Sequence, residues 1–329
     1  TVNANGTVQL KGNSTAFGYS TYRVKTLNIN GGVVEVVGGV QHIWNMTLNF
    51  SGGGTLRTNG GTSSASTTSY WEWWNVAVNV NNPTAEAVIS GRINMRQDAG
   101  IATTTYTVAD GTVDNELLIS AVIGQASSAH ALTKAGLGAM TLSGASTYTG
   151  AVTVGGGTLA VSNATGLGTI DGGVTVASGA TLDLQNVTVG AEAITLNGGT
   201  IATSTGTSSL SGAVSLAAAN SSLSVAGTQL TLSGIISGTV STYGFTKSGA
   251  GNAILTNTNT YSGATTISAG TLTFQNNSPN LAASSFIGPG TLVVEPSSTS
   301  FTSAYTFNET LSSSTKLGGL TLGKSGNAV

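Results

Sequence analysis

The residues that could carry out acid–base or metal chemistry are few and widely spaced. His42 and His130 are the only histidines, they lie far apart in the chain, and there is no cysteine. No group of aspartates or glutamates accompanies either histidine at the spacing of a metal-ligand set. The densest acidic group, Asp110, Asp114 and Glu116, lacks the EF-hand pattern and predicts a solvated turn. We therefore expect no metal, no cofactor and no nucleophile–histidine pair.

Hydrolysis or elimination on a polysaccharide would require paired carboxylates, or a carboxylate beside a lysine or arginine, in one cleft. No acidic or basic residue occurs between Glu192 and Lys247, and carboxylates are sparse elsewhere. Folding could still bring Asp171, Asp183 and Glu192 together. The sequence nevertheless predicts a protein without catalytic activity.

Recognition chemistry is concentrated in one aromatic segment. Residues 70–74 read Tyr-Trp-Glu-Trp-Trp and contain three of the four tryptophans. In a strand, Trp71 and Trp73 would share one face, and Trp74 would lie on the other. Rings on both faces cannot all enter a narrow core, so we expect some to be exposed, to cover a cap or to face a partner. Trp71, Trp73 and Trp74 are therefore either local core and capping residues or a ligand-binding site for a glycan or protein.

Composition excludes several other classes. Charged residues make up 7% of the chain, against about 25% in an ordinary soluble domain. Ten scattered cations on 329 residues do not form the basic surface that nucleic-acid binding requires. At 39% hydrophobic residues and so little charge, the chain does not have the composition of a disordered protein. No run approaches the roughly 18 apolar residues of a membrane-spanning helix.

Strand signals recur along the whole chain, whereas helix signals are weak. Short runs such as Thr26–Ile29 and Val152–Val154 alternate apolar residues with Thr, Ser or Asn, and Gly or Asn bounds each run. The pattern Gly-Thr-aliphatic returns at intervals of roughly 20 residues, which is the period of a solenoid. Because one coil cannot bury its apolar face alone, coils of this type stack on a shared core.

A longer repeat is superimposed on the short one. Residues 132–161 align without a gap to residues 245–274, and 13 of the 30 positions are identical. Both blocks contain Lys-x-Gly-x-Gly, then Thr-Tyr-Thr/Ser-Gly, then Gly-Thr-Leu. The scaffold positions of the repeat are Lys134, Gly136, Gly138, Tyr148, Gly150 and Leu159 in the first block, and Lys247, Gly249, Gly251, Tyr261, Gly263 and Leu272 in the second.

Two residue types of the repeat have both a structural and a functional interpretation. Lys134 and Lys247 lie in nearly charge-free surroundings, which is compatible with a ligand-binding or processing site. We expect them instead to be turn residues whose cation reaches a carbonyl or a nearby carboxylate, since a repeated scaffold repeats its structural residues. Tyr148 and Tyr261 could stack on sugar, but we expect each ring to pack on an adjacent coil and each hydroxyl to bond the backbone.

The two blocks resemble the autotransporter-associated β-strand repeat of passenger regions in Gram-negative autotransporters. The resemblance rests on the Lys-x-Gly-x-Gly, Thr-Tyr-Thr/Ser-Gly and Gly-Thr-Leu motifs and covers about a fifth of the chain. It implies an all-β fold, an elongated right-handed parallel β-helix, in a protein exported across the outer membrane and displayed on the cell surface or shed. It implies nothing about catalysis, because these motifs belong to the scaffold.

We divide the chain into three parts: an N-terminal β-rich cap or set of decorated coils at 1–108, a first block at 109–221, and a second at 222–329. The second block ends at 323–327 with what resembles the opening of a further repeat. The expected function is a structural, adhesin-like extracellular passenger or stalk. The alternatives are a self-assembling fibre, sheath or surface-layer subunit, and a carbohydrate-binding adhesin that uses the tryptophan-rich segment. Expected partners are further copies of the chain, or glycans and proteins of a host or neighbouring cell, with no nucleic acid.

Overall fold

A computed structural model describes residues 1–12, 16–18, 23–58, 69–81, 83–96, 103–126, 128–277, 285–297 and 317–323. The chain divides into two compact units, Thr1–Gly173 and Val174–Val329. No α-helix occurs among the described residues, and consequently none that is long and apolar enough to cross a membrane. The expected opening of a further repeat at 323–327 lies outside the described residues except for Gly323.

The first unit contains eighteen described strands. They are β1 (Val2–Asn3), β2 (Thr7–Leu10), β3 (Thr26–Asn30), β4 (Val33–Val36), β5 (Gly39–Trp44), β6 (Thr47–Ser51), β7 (Thr55–Thr58), β8 (Ser69–Trp74), β9 (Ala77–Val80), β10 (Ala87–Ile89), β11 (Arg92–Arg96), β12 (Thr103–Val108), β13 (Leu117–Ile119), β14 (Val122–Gln125), β15 (Ala131–Ala135), β16 (Ala139–Leu142), β17 (Val152–Val154) and β18 (Thr158–Val161).

The second unit contains seventeen described strands. They are β19 (Val174–Ala177), β20 (Thr181–Leu184), β21 (Thr188–Val189), β22 (Ile194–Asn197), β23 (Thr200–Thr203), β24 (Thr207–Leu210), β25 (Val214–Leu216), β26 (Ser221–Val225), β27 (Gln229–Leu232), β28 (Ile236–Gly238), β29 (Phe245–Ser248), β30 (Asn252–Leu255), β31 (Thr265–Ile267), β32 (Thr271–Gln275), β33 (Phe286–Ile287), β34 (Thr291–Glu295) and β35 (Gly319–Leu322).

Each unit consists of stacked coils whose successive strands contribute to three parallel sheets. In the first unit the sheets are β1-β3-β6-β9-β12-β15-β17, β2-β4-β7-β10-β13-β16-β18 and β5-β8-β11-β14. In the second unit they are β19-β22-β25-β28, β20-β23-β26-β29-β31-β33 and β21-β24-β27-β30-β32-β34-β35. Strands stack in register on their counterparts in the next coil, as when Thr26 pairs with Thr47 and Thr47 with Ala77. The predicted parallel β-helix is confirmed.

The side chains alternate as stacked parallel coils require. Leu48 and Phe50 of β6 are fully buried, whereas Asn49 between them points outward. Asn49 donates a hydrogen bond to Asn28 of the coil before it, at 2.9 Å, and Asn79 of the coil after it donates to Asn49 at 3.0 Å. Identical polar side chains about 4.8 Å apart can bond one another in this way, whereas identical charges would repel.

Coil length differs along the chain. Hydrogen-bonded residues in adjacent coils are 19 to 22 positions apart where Gln185 meets Ser204, Asn252 meets Thr273 and Lys247 meets Ala269. By contrast, Asn45 and Asn75, which bond at 2.5 Å, are 30 positions apart. We call the sheet of β5, β8, β11 and β14 the aromatic sheet. Paired residues are 30 positions apart between β5 and β8 and between β11 and β14, but only 22 apart between β8 and β11. The short period predicted from the sequence therefore holds for the repeat blocks, whereas the N-terminal coils combine offsets of 30 with short ones, such as the 21 positions between Asn28 and Asn49.

Candidate functional site

The inward side of the aromatic sheet buries two large rings of the tryptophan-rich segment. Trp71 and Trp73 of β8 are 0% and 1% exposed, whereas Trp74, on the outward side of the strand, is 7% exposed. Trp73 packs against Tyr106 of β12, with ring centroids 6.4 Å apart. Of the alternatives expected for these rings, Trp71 and Trp73 are local core residues, and Trp74 is covered on the outward side by His42, Trp44 and Arg96.

Several polar atoms in this core have no partner. Among the described residues, no hydrogen-bond acceptor meets the indole N–H of Trp71 or Trp73, and no group bonds the hydroxyl of Tyr106. Burial raises the pKa of the Tyr106 phenol well above its usual value. Because a buried unsatisfied donor costs free energy, the rings are held here by their volume and not by their polar atoms.

The outward side of the same sheet carries a connected set of charged and aromatic groups. Glu72 is stacked between His42 of β5 and Asn94 of β11, and its Oε2 lies 2.6 Å from His42 Nδ1. On the other side, Arg96 Nη1 donates to Glu72 Oε1 at 3.2 Å. Arg96 also lies over the ring of Trp74, 4.8 Å from its centroid, and His42 stacks on the same indole at 4.9 Å.

A second cation–π pair extends this surface. Arg92 of β11 lies 5.6 Å from the centroid of Tyr70, and Asn94 stands between Arg92 and Arg96 on the strand. Trp44, half-buried on β5, tilts against Trp74 at 5.0 Å. We call this set the aromatic face. Its members are His42, Trp44, Tyr70, Glu72, Trp74, Arg92, Asn94 and Arg96. Of the three tryptophans that the sequence indicated as a ligand-binding site, only Trp74 belongs to this face, and the sequence did not indicate that strand register would add two arginines and a histidine to it.

The remaining chemistry-bearing residues are tied to the scaffold. The buried carboxylate of Glu116 accepts the backbone N–H of Gly111 at 3.1 Å and that of Ala139 at 2.5 Å. Asp183 accepts the N–H and hydroxyl of Ser204 at 2.9 and 2.6 Å. In the part of the chain that the structure describes, no three His, Cys, Asp or Glu side chains converge as metal ligands would.

His130 is buried at the end of the loop before β15. Its Nε2 lies 3.0 Å from the hydroxyl of Thr104, and no described residue bonds its Nδ1. Burial lowers the pKa of His130 to about 4, so the ring is neutral at physiological pH. The sequence showed the residue but gave no sign that it is enclosed.

The two repeat lysines lie on strands and point into the core. Lys134 on β15 pairs in register with Tyr106 and Val154, and it is 0% exposed. Its ammonium donates to three backbone carbonyls, those of Ala135 at 3.1 Å, Gly136 at 2.9 Å and Gly156 at 3.0 Å. The last carbonyl belongs to the next coil, so the cation links two successive turns.

Lys247 on β29 repeats the arrangement. It is 0% exposed and donates to Ser248 at 3.0 Å, Gly249 at 2.8 Å and Ala269 of the next coil at 3.0 Å. All three ammonium donors are thus satisfied in both copies. Burial lowers the pKa of each lysine to about 8, and for Lys134 the Glu116 carboxylate opposes that shift. The expected contact with carbonyls is present, although the lysines belong to strands and not to turns.

The glycines of the repeat allow this close approach of coils. A Cβ atom on Gly136 would lie 2.2 Å from Val108 O, and one on Gly249 would lie 2.3 Å from Val225 O. Both glycines also have positive φ, +79° and +77°. A side chain at either position would therefore meet both a backbone clash and a strained conformation.

A family model for the passenger-associated-transport-repeat matches residues 132–161 and 245–274. The chain carries two passenger-associated-transport repeats. The resemblance seen in the sequence is thereby confirmed at the same residues, as repeats of autotransporter passengers. No curated protein and no solved structure matches the chain at a significant level.

The tyrosine of each passenger-associated-transport repeat is a core residue. Tyr148 is fully buried, and its hydroxyl donates to Gly166 O at 3.3 Å. Tyr261 is 3% exposed, with its hydroxyl 2.9 Å from that of Thr265 and its ring 5.3 Å from Phe245. Each tyrosine fills the core beside the segment that joins two strands. The residues that the two repeats share are thus engaged in coil stacking, and the aromatic face remains the surface with the most varied chemistry.

Proposed function

We propose that the chain is a non-catalytic passenger region that a Gram-negative bacterium exports and displays at its cell surface, where it acts as an adhesin-like β-helix scaffold. The observation that carries this proposal is the pair of passenger-associated-transport repeats built into stacked coils. The repeats supply rigidity, and the outward side chains of the aromatic sheet supply the surface that meets other molecules.

The placement of charge supports a scaffold role. The buried Lys134, Lys247, Glu116 and Asp183 bond backbone or neighbouring polar groups of their own or adjacent coils. A catalytic acid or base must instead reach a substrate atom within hydrogen-bond distance. These residues are thus committed to holding the fold, which favours a structural function.

Surface display is tested on intact cells of the producing bacterium. An antibody raised against the purified chain should label unpermeabilised cells, and protease added outside should remove the signal. A periplasmic protein probed in the same samples serves as the control and should survive the protease. Labelling that requires permeabilisation would contradict the proposal.

A further inference from the structure

We propose that the aromatic face is a binding site for an acidic saccharide, a sugar chain whose rings carry carboxylates. The site rests on the proposed surface function and deepens it, because a displayed passenger meets charged polysaccharides on cells. This face contrasts in charge with the rest of the chain. Only 7% of all residues are charged, yet Arg92 and Arg96 flank Asn94 on β11, and Asn94 pairs in register with Glu72 of β8.

Charge complementarity selects the sign of the ligand. Arg96 shares the carboxylate of Glu72, while Arg92 has no ion-pair partner among the described residues. The two guanidinium groups against one carboxylate leave this face with one excess positive charge, in a chain whose formal net charge is −2. Guanidinium groups bind carboxylates bidentately, and each such bond is stronger than a neutral one.

The aromatic groups select a ring-shaped ligand. Trp44 and Tyr70 are half-buried, so each offers part of its ring to solvent beside an arginine or an indole. Indole and phenol faces pack against the apolar C–H face of a sugar, and the neighbouring arginines keep the surface polar. Asn94, between the two arginines, provides both a donor and an acceptor for sugar hydroxyls.

The side chains of the aromatic face are already held in place before a ligand binds. Trp74 is held between His42 at 4.9 Å, Trp44 at 5.0 Å and Arg96 at 4.8 Å, and Glu72 in turn holds Arg96. Because these groups stand on paired strands and not on loops, little side-chain freedom remains to be lost on binding. A neutral sugar would leave the charge of Arg92 without a partner, so we expect it to bind more weakly.

The experiment titrates the purified chain by isothermal calorimetry at low salt. The probes are an oligouronate, a sialylated oligosaccharide, a sulfated oligosaccharide and a neutral oligoglucan of similar length. We expect a carboxylated probe to bind at least tenfold more tightly than the neutral one and to weaken as salt is raised. The probe that binds best distinguishes uronate from sialate and from sulfate chemistry.

The decisive variant is Arg92→Gln, which removes the unpaired cation and keeps most of the side-chain length. We expect it to weaken oligouronate or sialoside binding at least tenfold while the melting temperature stays within a few degrees of the native value. Arg57→Gln is the matched control, because Arg57 lies on β7 in another sheet, where it pairs with Glu35 at 2.8 Å. Its binding should equal that of the native chain.

Three outcomes would overturn the inference: no binding of any carboxylated probe, equal binding of the neutral oligoglucan, or unchanged binding by Arg92→Gln. Preferred binding of the sulfated probe would also reject the carboxylate as the recognised group. Each result is independent of cell-surface labelling. A displayed chain that binds no acidic saccharide would refute this site alone, and a chain that binds but is not displayed would refute only the proposed location.

Discussion

The aromatic coils and the repeat coils stabilise the same fold by opposite means. In the coils that carry β5, β8 and β11, the core is filled by Trp71 and Trp73, and charge lies outside. In the repeat coils, the core contains a lysine whose cation bonds three carbonyls across two turns. The aromatic coils are therefore held by ring volume, and the repeat coils by hydrogen bonds from an ammonium to backbone carbonyls.

Charged side chains on the outer faces are placed beside stacked partners of opposite charge or polar character. In the first unit, Gln9, Glu35 and Arg57 occupy one register row on β2, β4 and β7. The amide of Gln9 donates to Glu35 at 2.6 Å and the guanidinium of Arg57 donates at 2.8 Å, and together they lower the pKa of the Glu35 carboxyl. Opposite charges are therefore tolerated in a ladder where identical ones would repel.

The largest expected effect comes from emptying the aromatic core. Trp73→Ala would leave a cavity beside Tyr106 and should cost about 4 kcal/mol of the free energy of unfolding. Trp73→Phe keeps most of the ring volume and removes an indole N–H that has no described partner, so we expect it to cost less than half as much. Urea denaturation followed by far-ultraviolet circular dichroism measures both. Equal losses would show that the N–H, and not the ring, holds the position.

The repeat lysine should give the next largest effect. Lys247→Met keeps the length of the side chain but leaves three carbonyls without their donor, and we expect a loss of about 3 kcal/mol. Lys25→Met is the control, because Lys25 is exposed, and such surface changes stay within about 0.5 kcal/mol. Hydrogen exchange read by mass spectrometry should localise the loss to the coils around β29 and β31. A stable Lys247→Met protein would contradict the role of the cation.

The repeat coils and the aromatic face differ in how far the sequence could predict them. The spacing of Gly136, Gly138 and Gly150 predicted the repeat coils because each glycine meets the backbone of the preceding coil, a constraint that leaves a fixed pattern. The aromatic face was not predictable in the same way. Arg96 reaches Trp74 and Glu72 only through the register of β11 on β8, and no repeated motif in the sequence marks that register.

The position of the two repeat lysines was also not predictable from the sequence. We expected Lys134 and Lys247 at turns, because a buried ammonium is costly without partners. The structure places both on strands. The acceptors of each ammonium are backbone carbonyls. Because every residue has a backbone carbonyl, no side-chain motif in the sequence indicates which ones bind the lysine. Only the fold reveals that Gly156 O and Ala269 O converge on these positions.

The smallest expected effect concerns His130, a buried titratable group that has fewer polar partners than the repeat lysines. The cation of Lys134 has three acceptors, whereas His130 has a single neutral hydroxyl at 3.0 Å, and burial lowers its pKa to about 4 from 6.5. Between pH 6.5 and 4 the unfolded chain therefore binds a proton that the folded chain excludes, and stability falls as pH falls through this window. This pKa shift corresponds to a loss of at most about 3 kcal/mol in the free energy of unfolding. We expect about 2 kcal/mol, because the folded chain can relax partly around a protonated ring. Denaturant midpoints measured at pH 7 and pH 4 should show this loss in the native chain and a smaller one in His130→Gln, which cannot titrate. An equal loss in both proteins would place the acid sensitivity in other groups and remove His130 from the comparison.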